Sequence, residues 1–349
     1  MKKEFLLVFV LISIVSFSYG EIVVVDNFKS ASFIYPTHTM FFSEILLSIY
    51  GGNKYGAGIV LSPSSSSNFQ DVQINLEKVE FFTRPFDFLD IYFWYGVRKY
   101  VGYESKYQGY IYHPSKEFSF KGWRWISGTG VDLDFSFFDK NLNANLYVYR
   151  PALTNEGGLS SDLEVSLVYR DILLSGFLGI SEASLRSGLI LKTLFRTMNA
   201  VFVLGVDSIP ITNISINPAN VYALGEERVS VSSSDNSWSI EQIFSIMLKP
   251  QFYNGFIKPN DISDFDIRLT GVLRFLNKVL VGAEGLMYIY NLTGSAVTQL
   301  YIEAWAGPII GILDNNVSMN IKPSFILLST RTNQVQQFYK IVLSGEVRF

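Results

Sequence analysis

The stretch 335–349 alternates strictly between two kinds of side chain. Tyr339, Ile341, Leu343, Gly345, Val347 and Phe349 fall on one phase of a two-residue period. Gln336, Phe338, Lys340, Val342, Ser344, Glu346 and Arg348 fall on the other. A β-strand sends successive side chains to opposite faces, so one face here suits hydrocarbon and the other water. Such a strand needs partners on both edges and an apolar medium against one face.

The same unit recurs. In 131–150, Val131, Leu133, Phe135 and Phe137 alternate with Asp132, Asp134 and Ser136. Asp139-Lys140-Asn141 turns the chain, and Leu142, Ala144, Leu146 and Val148 then alternate with Asn143, Asn145, Tyr147 and Tyr149. Residues tolerant of unusual backbone angles sit at the turn, as an antiparallel hairpin requires. A second hairpin pairs 265–275 with 279–289 across Asn277-Lys278, and 317–327 alternates likewise. The repeat is a structural meander and not a solenoid-type sequence repeat.

The chain is 48% hydrophobic and 15% aromatic, with no cysteine. After residue 20 no apolar run approaches the roughly 18–20 residues a membrane helix needs. Residues 1–20 read as an export signal: Lys2 and Lys3, an apolar run from Phe5 to Val15, and the small-x-small site Ser18-Tyr19-Gly20. Cleavage near Gly20 leaves 21–349 as the mature segment and takes the formal charge from −3 to −4 by removing Lys2, Lys3 and Glu4. A mildly acidic chain without a basic block argues against nucleic acid as a partner. The absence of cysteine excludes disulfides and thiolate metal sites.

Taken together, the apolar residue at every second position and the terminal Phe349 of the last strand resemble the closing strand of bacterial outer-membrane β-barrels, porins among them. The resemblance is architectural, covers 21–349 and names no subfamily. It implies a closed antiparallel transmembrane β-barrel in the bacterial outer membrane. It also implies outer-membrane lipid and the outer-membrane assembly machinery as partners, and by analogy admits a trimer. Ile341, Leu343, Gly345, Val347 and Phe349 would carry barrel closure and the assembly signal.

Barrels of this kind have short periplasmic turns and longer outer loops. Working back from a last strand that ends at the periplasm, the short turns are 313–316, 277–278, 234–237, 196–199, Asp171, 139–141, Arg84-Pro85 and 51–54. The long connections 63–69, 102–122, 152–161, 208–226 and 250–263 fall outside. Strands 200–207 and 238–249 then both run outward, so a descending strand must lie between them, and 227–233 is the weak candidate. A first ascending strand near 30–35 completes a count of about 18; losing both weak strands gives 16. Pro308 and Pro323 fall inside neighbouring strands, where a bulge is expected. Leu173, Phe177 and Ile190 fall on the inward phase of strands 172–181 and 185–195, against a plug or as a sign of slipped register.

Sixteen to eighteen strands leave an aqueous channel. The lumen-lining candidates on the polar phase are Asp90, Arg98, Asp132, Asp134, Glu164, Asp266, Arg268, Arg274, Glu284, Glu303, Lys322 and Lys340, with Asp162, Arg170, Arg186, Lys192, Asp207, Glu346 and Arg348 beside them. Their signs nearly balance, which predicts weak ion selectivity. The outward phase carries almost no charge, Lys99 excepted. The expected function is a porin-like channel for passive diffusion of small hydrophilic solutes or ions. The alternative is a non-conducting barrel with an adhesion or envelope-scaffold role, its lumen closed by ion pairs.

Loop 102–122, long and aromatic, is the expected constriction, with a surface flap as the alternative; Trp123, Trp125, Phe93 and Tyr95 suit a membrane-facing girdle. No enzyme is expected. His38 and His113 are the only histidines, and His113-Pro114-Ser115 does not present a base to a hydroxyl. Gly51–Gly58 lacks the Lys-Ser/Thr of a phosphate loop, and Asn217-Pro218-Ala219 is mid-chain, unlike the similar motif of fatty-acid transport barrels. No metal-ligand cluster and no cofactor motif is present.

Overall fold

The structure is a computed structural model. It describes residues 22–34, 39–51, 54–65, 72–101, 124–151, 158–193, 195, 197–214, 216, 220–248, 252–253, 256–257, 264–292, 294–312, 317–329 and 334–348. The expected signal segment 1–20, the connection 102–123, His38, His113 and Phe349 lie outside them. Of Lys99, Trp125, Asp207, Lys340, Gly345, Glu346, Val347 and Arg348 the backbone alone is described.

Among the described residues there are twenty strands and no α-helix. The first ten are β1 (Ile22–Ile34), β2 (Thr39–Gly51), β3 (Tyr55–Ser65), β4 (Val72–Phe86), β5 (Leu89–Val101), β6 (Arg124–Phe137), β7 (Leu142–Pro151), β8 (Ser160–Tyr169), β9 (Ile172–Ile180) and β10 (Ser184–Thr193). Then follow β11 (Met198–Pro210), β12 (Val221–Ser232), β13 (Trp238–Leu248), the two-residue strands β14 (Phe252–Tyr253) and β15 (Phe256–Ile257), β16 (Phe265–Phe275), β17 (Val279–Tyr290), β18 (Val297–Ile312), β19 (Val317–Ser329) and β20 (Val335–Arg348).

Eighteen of these form one antiparallel sheet in which chain neighbours pair in order; β14 and β15 form a separate small hairpin, and β13 pairs with β16. β1 pairs with β2 along one edge and with β20 along the other, from Asn27↔Arg348 to Ile34↔Ile341. Each of the eighteen strands therefore has two neighbours.

Burial follows the two-residue period but inverts the soluble rule. Leu163, Val165 and Leu167 of β8, Leu189 and Leu191 of β10, Phe202 and Leu204 of β11, and Leu269 and Leu273 of β16 are exposed. The intervening Asp162, Arg186, Asp266 and Arg268 are buried. A monomer in water does not expose apolar surface on this scale. The exposed phase has charged exceptions in Arg150, near the end of β7, and Glu227, at the centre of the consecutive charges Glu226, Glu227 and Arg228. A period of two can turn only Glu226 and Arg228 of that triplet to the buried face.

The weak strand between 200–207 and 238–249 is real and longer than expected: β12 begins at Val221, so its connection shortens to 211–220. β1 likewise begins well before residue 30. Two expectations change. Arg84-Pro85 is not a turn: the Arg84 N–H donates to the Lys54 carbonyl at 2.6 Å, which keeps β4 in its ladder, and the turn is Asp87-Phe88. Pro308 and Pro323 cause no bulge. The β18–β19 register resumes unshifted after them, but pairing lapses over 306–308 opposite 321–323. Phe177 and Ile190 do turn to the buried face, in one apolar cluster with Val201, Val203 and Tyr222, so the expected register stands.

Candidate functional site: the polar inner face

Four ionic nodes are spread across the buried face, the first three built by residues two apart on one strand and residues of neighbouring strands, the fourth a single cross-strand pair. The first joins β4, β5 and β6. A register shift between Val97 and Lys99 makes Arg98 the extra residue of a bulge. The directly opposed Gly96 and Gly128 next to it have φ of 98° and 136°, which a residue with a Cβ rarely adopts. Arg98 reaches Asp132 through Nε at 2.9 Å, Glu80 through Nη1 at 3.2 Å, and Asp134 at 3.8 Å. Its guanidinium lies 4.0 Å from the Tyr92 ring centroid. Lys78 adds a second cation, 2.7 Å from Glu80. Nearer the turn, Arg84 grips Asp90 with two bonds, at 2.5 and 2.7 Å.

The second node spans β7 to β10. Arg186 forks onto Asp162 at 2.8 and 2.6 Å and donates to the Tyr149 hydroxyl at 2.9 Å; that hydroxyl donates to Asp162 at 2.8 Å. Ser175 donates to Glu164 at 3.3 Å. Trp94 and Tyr149, with ring centroids 5.8 Å apart, lie between the first and second nodes. The third node spans β16 to β18. Arg268 donates to Thr270 at 3.0 Å, and Thr270 donates to Glu284 at 3.2 Å. Glu284 stands directly opposite Glu303, which accepts a bond from the Tyr301 hydroxyl, and Asp266 is fully buried beside them. The fourth node is the Arg228–Glu241 pair of β12 and β13.

Like carboxylates directly opposite each other are unfavourable unless cations or donors offset them. Desolvated pairs such as Arg186–Asp162 add little net stability but are costly to break singly. Between the nodes the inner face is aliphatic over β10 to β13, where Ile190, Val203, Leu224 and Met247 pack together.

Apart from Arg170, the described lumen candidates lie on this phase. Asp132, Glu164, Asp266, Arg268, Glu284, Glu303 and Lys322 are buried, and Asp90, Arg98, Asp134 and Arg274 are partly so. Lys340 lies outside the described side chains. Arg170 is not on the face: it sits in the β8–β9 turn with φ of 53°, against Tyr169. Sequence reasoning missed Lys78, Glu80, Arg84, Glu226, Arg228 and Glu241, and gave no weight to Tyr92, Tyr147, Tyr149, Tyr222, Tyr288 and Tyr301. In β4 the phase reverses, with Ile74 and Leu76 exposed but Lys78 and Glu80 turned inward. The period of two was the available signal, had it been restarted at Lys78. Among the described residues no group of three or more His, Cys, Asp or Glu is placed to hold a metal ion.

The all-antiparallel sheet superposes on solved outer-membrane proteins. The outer-membrane protein OprD of Pseudomonas aeruginosa superposes with a TM-score of 0.58 at 8% identity, covering 95% of each chain. A mutant of the Rh. blastica porin gives 0.51 at 12% identity, covering 94% of this chain and 100% of that one. The fold is that of an outer-membrane porin. Wzi, an Escherichia coli outer-membrane protein involved in group 1 capsule assembly and a carbohydrate-binding β-barrel, gives 0.56 at 8% identity over 92% of this chain and 84% of its own. No protein-family model and no curated protein matches the sequence.

Proposed function

We propose that residues 21–349, freed of the signal segment 1–20, form a closed 18-strand barrel spanning the bacterial outer membrane. We infer that it is a channel, not an enzyme, passing small hydrophilic solutes or ions by passive diffusion. The observation that carries this reading is the inversion of the wall: charged nodes on the buried face, leucine and phenylalanine on the exposed one, around strands that each have two neighbours. Hydrocarbon outside and water inside is the pairing of media that satisfies both faces. On this reading Asp90, Arg98, Asp132, Asp134, Glu164, Asp266, Arg268, Arg274, Glu284, Glu303, Lys322 and Lys340 line or underlie the lumen. The short turns face the periplasm, and the strand ending in Phe349 engages the assembly machinery.

Cations and anions nearly balance on the wall, so the channel discriminates weakly by charge. Purified protein in a planar bilayer gives stable conductance steps with a cation-to-anion permeability ratio near one. Folded, heat-modifiable protein that stays electrically silent refutes the channel. That result would favour a second reading, a non-conducting scaffold barrel, which draws on the burial of the Arg186–Asp162 and Arg268–Glu284 nodes.

A further inference from the structure

The exposed face of β11 to β16 carries two polar side chains in an otherwise apolar field. Glu227 stands at the middle of the twelve-residue β12, between Ala200 and Phe244 across its ladders. Gln242 lies on β13, between Val229 and Gly271. Both side chains are exposed, and neither has a hydrogen bond or ion pair among the described residues. Arg150, also exposed, lies next to the end of β7, where a long side chain can reach headgroups. Glu227 has no such exit. A carboxylate held in hydrocarbon is costly unless a donor meets it.

A glycine adjoins each of them. A Cβ at Gly271 would meet nothing within 4 Å, and one at Gly225, two residues from Glu227 on β12, would meet the Phe202 ring at 3.9 Å. Neither glycine has a positive φ, and no ladder slips at either. Backbone and packing within the chain therefore give no reason for glycine. A strand glycine without such a reason marks a place where another backbone approaches closely. Small residues beside polar ones are also how transmembrane helices meet.

The two polar groups are level in the proposed membrane. The hydrogen-bonded row through Glu227 passes Ala200, Thr193, Ile172 and Tyr169 and reaches the β6–β7 turn, so rows rise from the turn end with strand order. At a tilt near 45°, crossing the ~4.8 Å from β12 to β13 raises a residue by about 3.4 Å. Gln242 is opposite Val229, two residues nearer the turn, which lowers it by about 4.7 Å. It thus lies within ~1.5 Å of the depth of Glu227 and about 8 Å to its side. Phe244 falls above the midpoint between them and Val229 below it.

We propose that a second copy of this chain docks on this face, about a two-fold axis along the membrane normal that passes between Glu227 and Gln242. Half a turn brings Glu227 of each copy against the partner's Gln242, so each carboxylate accepts a hydrogen bond from a carboxamide N–H. Phe244 and Val229 lie on the axis and each meets its own copy, while Gly225 and Gly271 let the two walls close. Acceptor and donor side by side at one depth are self-complementary, which selects a second copy over acyl chains that offer no donor there. The pairing rests on the membrane-spanning barrel proposed above but not on its conductance.

The chain has no cysteine of its own, so Phe244→Cys and Leu204→Cys place single thiols on the axis and away from it. In phospholipid vesicles, a short bifunctional thiol cross-linker converts Phe244→Cys protein to a dimer with no higher species and leaves Leu204→Cys protein monomeric. Gln242→Glu sets carboxylate against carboxylate and raises the dimer dissociation constant at least about tenfold, read by energy transfer between labelled copies as lipid is added. Adding Glu227→Gln exchanges the two groups and restores the wild-type value, which a merely structural role for either residue would not do. Heat-modifiable mobility shows each variant folded. Equal cross-linking at both cysteines, a wild type that stays monomeric or forms a trimer indifferent to Gln242→Glu, or an exchange that restores nothing overturns the pairing and leaves the barrel standing. A wild type without heat-modifiable mobility overturns both.

Discussion

Leu204 and Met198 lie on the same strand and on the same exposed face, 59% and 43% accessible respectively. On a soluble protein, replacing either with arginine would change stability by no more than about 0.5 kcal/mol. In the proposed barrel the two positions differ in depth. Six residues at ~3.3 Å place Leu204 about 20 Å along β11 from Met198. With a strand tilt near 45° that is roughly 14 Å of depth, about half of a lipid-facing band some 25 Å tall. Leu204, flanked across the ladders by Leu189 and Ala223, therefore sits near mid-membrane, and Met198 sits at the turn-side boundary. Leu204→Arg is expected to destabilise by about 2–4 kcal/mol and Met198→Arg by about 0–1 kcal/mol. The larger figure corresponds to a loss of roughly 30- to 700-fold in the folding equilibrium. Denaturant titration of protein refolded into phospholipid vesicles, read by heat-modifiable mobility, measures both. Equal effects, or none at either site, would mean that this face does not contact hydrocarbon.

Two further outcomes follow from the inner face and a turn. Arg186→Leu strands the buried Asp162 and should cost about 3–5 kcal/mol, whereas Arg186→Leu with Asp162→Leu should recover most of it; a double-mutant cycle with no coupling refutes the pairing. At the β12–β13 turn, hydrogen bonds from the Ser233 hydroxyl first, and from the Ser237 backbone and hydroxyl, hold the Asp235 carboxyl down at about 2. A depressed carboxyl contributes stability that is full above its unfolded value near 4 and is lost as pH falls toward 2. Asp235→Ala should therefore flatten the acid limb of the stability profile between pH 4 and 2 and leave that above pH 5 parallel to wild type.

Where alternation is unbroken, the chain is easily read. The hairpin expected over 265–275 and 279–289 is β16 to the residue and β17 to within one, and the inward turn of Phe177 and Ile190 follows from phase alone. Reading fails where one residue breaks the phase. The reversal between Leu76 and Lys78 in β4 hid half of the first node. Glu226-Glu227-Arg228 lowered the apparent strand character of β12 because one of three adjacent charges must face outward. The inner aromatics escaped notice for a different reason. A tyrosine suits an aqueous wall, a membrane boundary or a core equally well, and its partner, such as Asp162 for Tyr149, lies on another strand.

The pairing of β1 with β20 also bears on how the protein is made. Every other ladder in the sheet joins strands adjacent in the chain or separated only by the β14–β15 hairpin, and can form as soon as both have emerged. Ile34 meets Ile341, about 300 residues later. Against a four-residue hairpin loop, that closure costs roughly 4 kcal/mol more in chain entropy. Until β20 arrives, the growing sheet travels with bare strands at both margins, open to pairing with any stray strand they meet. On the proposed barrel, any escort would have to shield two margins at once, and a truncation that removes β20 alone would leave a sticky ribbon instead of a slightly smaller barrel.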